Sequence, residues 1–149
     1  MIGLLQRVSE AGVSVDGIEV AAIGRGLLVL VGVEAGDGAP QAERLAERIL
    51  GYRVFPDANG RMNASVTAIG GEVLLVPQFT LAADTRKGTR ASFTPAAAPT
   101  TGEQRFGELV TAAQGVGVRV ATGRFGADMQ IRLVNDGPVT FHLRVPPPA

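Results

Sequence analysis

Apolar and polar residues alternate along the opening part of the chain, with the period of two that is typical of β-strands. On either side of the pair Asp16-Gly17, apolar residues take every second position. Because Asp-Gly accepts the positive φ angles of a type I′ turn, this pattern predicts a β-hairpin. Residues 27–33 are apolar on both faces and are bounded by glycine, which predicts a short strand buried in the middle of a sheet.

Two later segments place their apolar residues at helical spacing. Residues 40–50 do so with Pro40 in the first turn and Gly51 directly after the last one, which predicts a helix. Residues 100–114 do so with Thr100 and Glu103 at the spacing of a capping box. The sequence therefore predicts two helices, with strand-forming segments before, between and after them.

Apolar or alternating segments predict further strands at residues 72–76, 116–121, 129–135 and 139–145. No internal repeat or linker separates them. A chain of 149 residues with 46% apolar content can bury one hydrophobic core but not the cores of two ordinary domains. The expected fold is a single strand-rich α/β domain over residues 1–149 with two or three helices and a proline-rich tail at residues 146–149.

The composition excludes several kinds of site and partner. The chain has no cysteine and one histidine, which excludes disulfides and metal centres built from thiolates or several histidines. Fourteen basic residues balance fourteen acidic ones, which argues against a protein that coats DNA or RNA by charge alone. No signal peptide is recognisable, and the longest apolar run is far shorter than the roughly 20 residues that cross a bilayer. We expect a cytoplasmic protein with no membrane or DNA partner.

Although the total charge is balanced, basic residues are clustered in parts of the chain. The segment 84–90 carries Arg86, Lys87 and Arg90 against one acidic residue, and farther on three arginines outnumber Asp128. A basic run of this kind is more often a solvated face than a binding site. By itself it therefore predicts no partner.

His142 is the only imidazole that a serine-type catalytic triad could use. It shares a predicted strand face with Thr140 and Arg144, and nothing in the sequence pairs it with a nucleophile. A half-exposed structural histidine is the favoured interpretation. Since the carboxylates are scattered as well, an enzyme with this sequence is expected to act through backbone amides, hydroxyls and groups of its substrate.

Two segments are unusual for purely structural roles. In residues 76–81, Val-Pro-Gln-Phe-Thr-Leu, a buried strand runs into polar Gln78 and Thr80 on either side of Phe79. In residues 135–140, Asn-Asp-Gly-Pro-Val-Thr, a Gly-Pro pair interrupts two alternating strands and is a candidate for a cis peptide bond. Each has an ordinary alternative: a cap at a strand end for the first and a hairpin turn for the second.

Together these two segments resemble the paired signature of the D-aminoacyl-tRNA deacylase family, Ser-Gln-Phe-Thr-Leu and Asn-x-Gly-Pro-Val-Thr. Other parts of the chain resemble family segments in the same order and at similar spacing, namely Gln6-Arg7-Val8, residues 26–29, residues 84–88 and residues 122–129. The resemblance covers nearly the whole chain without its tail. Several motifs in order are far more specific than any single one.

The resemblance implies hydrolysis of the ester bond of D-aminoacyl-tRNA, and of glycyl-tRNA mischarged on tRNA-Ala, as proofreading of chirality in translation. It implies a homodimer with two active sites at the subunit interface. Each subunit is expected to hold two β-sheets in a barrel-like arrangement flanked by helices, a three-layer β/β/α fold. No metal or organic cofactor is implied, and the implied partner is the D-aminoacyl-tRNA substrate.

The resemblance also implies roles for individual residues. Gln78, Phe79 and Thr80 are the implied catalytic residues, and the Phe79 N–H is expected to hold the ester carbonyl. Gly137 and Pro138 are implied to form a cis peptide that enters the neighbouring subunit's site and rejects L-amino acids by steric clash. The implied supporting residues are Arg7, Asn135, Val139 and Thr140, and the implied lining of the adenosine pocket is Phe125 and Met129.

Pro77 departs from the family pattern, which most often has serine there, and removes a hydroxyl and a backbone N–H from the motif. A related animal-type branch also has proline at this position but differs at the phenylalanine and in the Gly-Pro segment, both of which this chain keeps. The main branch is therefore expected. Two other functions stay open: a non-catalytic RNA-binding or tRNA-end-binding domain of the same fold, and a dimeric interaction module with no RNA substrate.

Overall fold

The computed structural model describes residues 1–149, which form a mixed α/β fold with two α-helices. In chain order its elements are β1 (Ile2–Val15), β2 (Ile18–Ile23), β3 (Gly26–Gly32), α1 (Ala39–Gly51), β4 (Phe55–Pro56), β5 (Met62–Ala64), β6 (Glu72–Pro77), a 3₁₀ turn (Phe79–Ala82), α2 (Pro99–Gln114), β7 (Arg119–Thr122) and β8 (Gln130–Arg144). Neither α1 nor α2 combines the length and the apolar character that crossing a membrane requires.

The hairpin predicted at Asp16-Gly17 joins β1 to β2. Val15 pairs with Ile18 across the turn. Asp16 and Gly17 have φ angles of 51° and 77°, and two successive positive φ angles are what a type I′ turn requires. The hairpin prediction is confirmed.

The long strand β1 takes part in two halves of one sheet. Its first half lies between β3 and β8, and its second half lies between β2 and β8. Beyond β3 the sheet continues through the parallel strands β6 and β7. The expected barrel-like arrangement is confirmed, with the difference that its two sheets share β1 and β8 and are joined into one.

Alternate residues of β3 point into two separate cores. Val29 belongs to a core between the sheet and the two helices, and Leu28 belongs to a core between the two halves of the sheet. The first core includes Leu45 and Ile49 of α1, Leu75 of β6 and Phe106 and Leu109 of α2, and the second includes Val8 and Val13 of β1, Ile23 of β2 and Leu74 and Val76 of β6. Helices, one half-sheet and the other half-sheet thus form the three layers that were expected.

Both predicted helices are present, but the capping box predicted for α2 is wrong. Ala98 is the N-cap residue and makes no side-chain cap bond, Pro99 is the first helical residue, and Thr100 already lies inside the helix. Proline suits that first position because its missing N–H would have no partner within the helix. At the start of α1, the Gly38 N–H donates to the side-chain oxygen of Gln41 at 2.8 Å.

The strands predicted at residues 129–135 and 139–145 are two parts of β8 and not the arms of a hairpin. Asn135 and Thr140 pair with Val8 and Gln6, which lie only two residues apart on β1. The residues between Asn135 and Thr140 therefore bulge away from the sheet. The hairpin alternative is wrong because both parts of β8 run in one direction along the same partner strand. After Arg144 the tail has no regular secondary structure.

Candidate active site

The segment predicted to be catalytic lies where β6 ends. The Gln78 N–H donates to the Val31 carbonyl of β3 at 2.7 Å, and the chain then enters the 3₁₀ turn. This turn lies so close to the end of β3 that a Cβ at Gly32 would come within 2.9 Å of the Cβ of Leu81. A glycine at the end of β3 therefore allows this segment to pack directly on the sheet.

The three candidate catalytic residues form one group at the surface, in which Gln78 is half-buried and Phe79 and Thr80 are exposed. The Phe79 side chain is 60% exposed, and the Gln78 Nε2 donates to the Thr80 Oγ1 at 2.5 Å. Because a helical turn leaves its first N–H groups without partners inside the turn, the backbone amides of Phe79 and Thr80 can donate to an outside acceptor. Amides in this arrangement suit the negative oxygen that develops when an ester is attacked.

A cavity of about 740 Å³ opens beside Gln78 and Phe79. Its walls come from the end of β3, from residues 77–79, from segment 93–99 with the start of α2, and from residues 125–131. Twelve of its eighteen lining residues are hydrophobic, so the cavity suits a flat or apolar group more than a highly charged one.

Both residues predicted for the adenosine pocket line this cavity. The loop that carries them turns at Gly126, which has a φ of 77°, and the Met129 Sδ accepts a hydrogen bond from the Arg124 N–H at 3.4 Å. The Phe125 ring packs on α2, only 3.4 Å from where a Cβ of Gly102 would lie. Phe125 and Met129 are thus held as a wall against which an aromatic base could stack.

Sequence reasoning missed Phe93, which lines the same cavity. Its ring centroid lies 5.1 Å from that of Phe79, and the two ring planes are inclined by 52°. The segment after Phe93 is held to the sheet because the Ala97 N–H donates to the Val33 carbonyl at 3.0 Å. The only signal in the sequence is a lone aromatic residue in a polar segment.

The pair predicted to select chirality lies in the bulge of β8. The peptide bond between Gly137 and Pro138 is cis, as the sequence suggested, and both residues are exposed. The predicted supporting residue Arg7 reaches the bulge from β1: its Nε donates to the Asp136 carbonyl at 2.9 Å, and its Nη1 donates to the Val54 carbonyl at 2.7 Å. Arg7 thus connects the bulge with β1 and with the segment that follows α1.

The other three predicted supporting residues close the base of the bulge. The Asn135 Oδ1 accepts from the Val139 N–H at 3.0 Å, and the Asn135 Nδ2 donates to the Thr140 Oγ1 at 2.9 Å. The Val139 side chain is buried in the core between sheet and helices. The bulge is therefore held at both ends, while its tip, Gly137-Pro138, stays accessible.

Within one chain, the two groups of predicted residues lie apart. Gln78, Phe79, Phe125 and Met129 meet at the cavity, whereas neither Gly137 nor Pro138 lines it. Arg7, Asn135, Val139 and Thr140 surround the bulge instead. The cavity and the bulge are therefore two separate features of the single chain.

The strongest charge cluster lies elsewhere and was not predicted. The Met1 ammonium group is buried and donates to Glu34 at 3.1 Å and to Asp37 at 2.9 Å, and Arg144 forms a two-pronged pair with Glu34. Burial raises the pKa of the Glu34 carboxyl, but the hydrogen bonds from Arg144 and Met1 outweigh burial and hold that pKa below its ordinary value. This cluster joins both ends of the chain to the loop after β3.

Similar sequences support a family assignment. The model of a family described as D-Tyr-tRNA(Tyr) deacylase matches residues 4–144. A protein of Alkalilimnicola ehrlichii named D-aminoacyl-tRNA deacylase is 65% identical over 149 residues, which are 100% of this chain and 99% of that protein. A protein of the same name from Thioalkalivibrio sulfidiphilus is 66% identical over 148 residues, which are 99% of each chain.

Two solved structures have the same fold as this chain. A structure titled c-Myc DNA unwinding element binding protein superposes with a TM-score of 0.93 at 36% identity and covers 98% of this chain and 99% of its own. A structure described as a probable eukaryotic D-amino acid tRNA deacylase superposes with a TM-score of 0.80 over 95% of this chain and 98% of its own, and at 18% identity it supports the fold alone. Since the family model spans nearly the whole chain and the relatives match from end to end, this chain belongs to the D-Tyr-tRNA(Tyr) deacylase family, as its paired signature predicted.

Proposed function

We propose that this chain hydrolyses the ester bond of D-aminoacyl-tRNA and releases a free D-amino acid and tRNA, as the names of its relatives indicate for those proteins. The observation that carries the proposal is that Gln78 and Phe79 of the family signature line a largely apolar cavity, with the Thr80 hydroxyl hydrogen-bonded to Gln78. The cavity would take the terminal adenosine, and the backbone amides beside it would take the ester.

In the proposed reaction, the Phe79 N–H donates to the ester carbonyl and then to the oxyanion of the tetrahedral intermediate. One such donor is worth on the order of 10² to 10³ in rate, so the site can work without a histidine base. A water molecule attacks the ester carbon and gives up a proton. The terminal 2′-OH of the tRNA, which lies beside the ester, relays a proton to the departing 3′ oxygen, so that the free D-amino acid and the tRNA hydroxyl are the products. The Thr80 hydroxyl, hydrogen-bonded to the Gln78 amide, orients the segment that carries the Phe79 N–H.

We assign the rejection of L-amino acids to Gly137 and Pro138 of a second copy in a homodimer. Their backbone carbonyls would face the amino group and α-carbon of the substrate, so that an L side chain would meet main-chain atoms. Glycine and D-residues avoid this clash, and we therefore include glycyl-tRNA mischarged on tRNA-Ala among the substrates. The exposed tip of the bulge, with its base held by Arg7 and Asn135, supports a rigid selecting wall.

The direct test compares purified protein on D-tyrosyl-tRNA and on L-tyrosyl-tRNA. We expect the D-ester to be hydrolysed at least about 100-fold faster, because a clash with main-chain atoms costs more than the loss of a favourable contact. If the protein hydrolyses neither ester, the proposed deacylase activity is refuted. Binding of the tRNA without hydrolysis would favour the RNA-binding alternative, and a dimer that neither binds nor hydrolyses would favour the interaction module.

Thr80→Ala is expected to lower kcat on D-tyrosyl-tRNA by about 10- to 100-fold, since the Gln78 amide loses its partner and the segment that holds the oxyanion is less well oriented. The measurement is single-turnover deacylation, with circular dichroism as a check of folding. Thr111→Ala is the matched control, because that hydroxyl hydrogen-bonds to Gly107 within α2. Wild-type turnover of Thr80→Ala would mean that the site is placed wrongly.

A further inference from the structure

Most basic side chains of this chain are engaged within the fold, and few are left over. Ion pairs, hydrogen bonds or a stacked aromatic ring engage ten of the fourteen, namely Arg7, Arg25, Arg44, Arg48, Arg53, Arg86, Arg105, Arg119, Arg132 and Arg144. The remaining four, Arg61, Lys87, Arg90 and Arg124, have no such partner. Three of these four, all except Arg61, belong to segments that adjoin the cavity.

Two of the unpaired cations lie on the loop formed by residues 84–92, called the arm below. Asp84 and Ser92 exchange two backbone hydrogen bonds of 2.7 and 3.0 Å, which close the loop of residues 85–91. All seven loop residues are exposed, including Lys87 and Arg90. Phe93, the residue that follows Ser92, is part of the cavity wall, so the arm begins at the edge of the cavity.

The single acidic group of this arm does not neutralise those two cations. The Asp84 carboxylate accepts two hydrogen bonds from the Arg86 guanidinium, at 2.9 and 2.7 Å, and a third from the Arg86 N–H at 3.0 Å. These bonds lower the pKa of the Asp84 carboxyl to about 2. The pair of Asp84 and Arg86 is therefore balanced, and Lys87 and Arg90 leave the arm with two positive charges.

The third unpaired cation stands at another wall. Arg124 is exposed and directly precedes Phe125, and its backbone N–H holds Met129 while its side chain has no partner. Asp128 also lines the cavity, without an ion pair to Arg124. In a chain whose formal net charge is zero, three of the four unpaired cations thus lie in two segments that also supply residues of the cavity wall, Phe93 and Phe125.

We propose that Lys87, Arg90 and Arg124 bind backbone phosphates of the acceptor end of the substrate tRNA. The inference rests on the proposed function, because the cavity takes the terminal aminoacyl-adenosine and the nucleotides that lead to it each carry one phosphate. Cations near the cavity neutralise those phosphates and raise the rate of encounter. The arm and Arg124 act on binding of the tRNA and not on the reacting ester.

The test measures hydrolysis of D-tyrosyl-tRNA and of D-tyrosyl-adenosine, an ester without phosphates, by wild type, Lys87→Ala, Arg90→Ala, Arg124→Ala and the triple variant. We expect each substitution to raise KM for the tRNA substrate several-fold with kcat unchanged, and the triple variant to raise it by about 100-fold at low salt. The slope of log(kcat/KM) against log salt concentration should fall by about 0.7 to 0.9 per cation removed. Arg61→Ala, which removes the fourth unpaired cation in the turn between β4 and β5, is the matched control and should keep the wild-type KM and slope.

A triple variant with the wild-type KM and salt slope on D-tyrosyl-tRNA overturns the inference. An equal loss on both esters also overturns it, since it would place these side chains at the reaction. If the wild type hydrolyses neither ester, the proposed function is refuted, but the inference on tRNA binding is still tested by the affinity for uncharged tRNA. Equal affinities of the triple variant and the wild type for uncharged tRNA would overturn the inference. Equal loss of affinity for an unrelated DNA duplex would overturn the assignment to the tRNA end.

Discussion

Gly137→Ala is expected to lower hydrolysis of D-tyrosyl-tRNA by about 100-fold, since a displacement of about 1 Å in a positioning group can cost that much. Gly137 has a φ of 143°, a conformation that L side chains rarely adopt. A Cβ there would lie 2.7 Å from the Val139 Cγ2 and 2.9 Å from the Val139 N, and 3.3 Å from the Arg7 Nη2. The bulge must therefore move, because Val139 is buried and Arg7 is held by two carbonyls.

The matched control for this variant is Gly60→Ala. Gly60 also has a positive φ, of 76°, but nothing lies within 4 Å of its would-be Cβ, and it sits in the turn before β5. Both variants are expected to lose about 1 kcal/mol or somewhat more of stability through backbone strain. Only Gly137→Ala should lose activity, so single-turnover rates at matched folded fraction separate the two effects. Full activity of Gly137→Ala would contradict the proposed role of the bulge.

Mixing the two impaired variants Thr80→Ala and Gly137→Ala tests whether the bulge acts on the partner's cavity. If Thr80 of one protomer and Gly137 of the other form one site, a dimer of Thr80→Ala with Gly137→Ala contains one intact site. Random exchange of subunits would then restore about a quarter of the wild-type activity. If both residues act within the same chain, no mixed dimer has an intact site and activity stays at the level of the variants. Sedimentation of the mixture verifies the oligomeric state.

Glu34→Gln is expected to lower the free energy of unfolding by about 3 kcal/mol, because it removes the carboxylate from a largely buried cluster and leaves Arg144 and the Met1 ammonium with less compensation. Asp37 still holds the ammonium, which limits the loss. Urea denaturation at pH 7 measures the change. Glu47→Gln is the control: its pair with Arg44 is mostly exposed, so a change within about 0.5 kcal/mol is expected.

Glu34→Gln is also expected to change how the free energy of unfolding depends on pH. The folded-state pKa of Glu34 is lowered from the ordinary value of 4.5, so its contribution to stability is complete above pH 4.5 and is lost as the pH falls through the folded-state pKa. Between pH 7 and pH 3, the stability of Glu34→Gln should therefore fall less steeply than that of the wild type. Parallel curves for the two proteins, or an unchanged stability at pH 7, would contradict this account.

Local patterns predicted the elements well, because their causes are local. The turn at Asp16-Gly17 requires only two residues that accept positive φ angles. Helix α1 was recognisable from one apolar stripe between Pro40 and Gly51. The start of α2 was missed because two signals competed. The capping-box spacing of Thr100 and Glu103 suggested one boundary, whereas Pro99, which suits the first helical position, set another.

The site was less predictable, because it depends on which segments meet. An alternating pattern shows that a strand has two faces but not which strand it pairs with, so the two parts of β8 were open to interpretation as a hairpin. The cavity combines four distant segments, and Phe93 belongs to it only through its contact with Phe79. Lys87 and Arg90 lack partners because the one nearby carboxylate, Asp84, is taken by Arg86, and this choice of partner is a matter of three-dimensional structure that the sequence does not encode locally.

The exposed tip of the β8 bulge consists of a glycine and a proline, so that apart from the proline ring it presents only polypeptide backbone. A wall built from side chains can be widened by one mutation that shortens a residue, whereas a wall of peptide groups offers nothing to truncate. For the selecting role proposed for this tip, it follows that a single codon change there does not easily make the site accept the wrong enantiomer. Substitutions that alter the tip will tend to abolish the proposed activity before they widen the range of substrates.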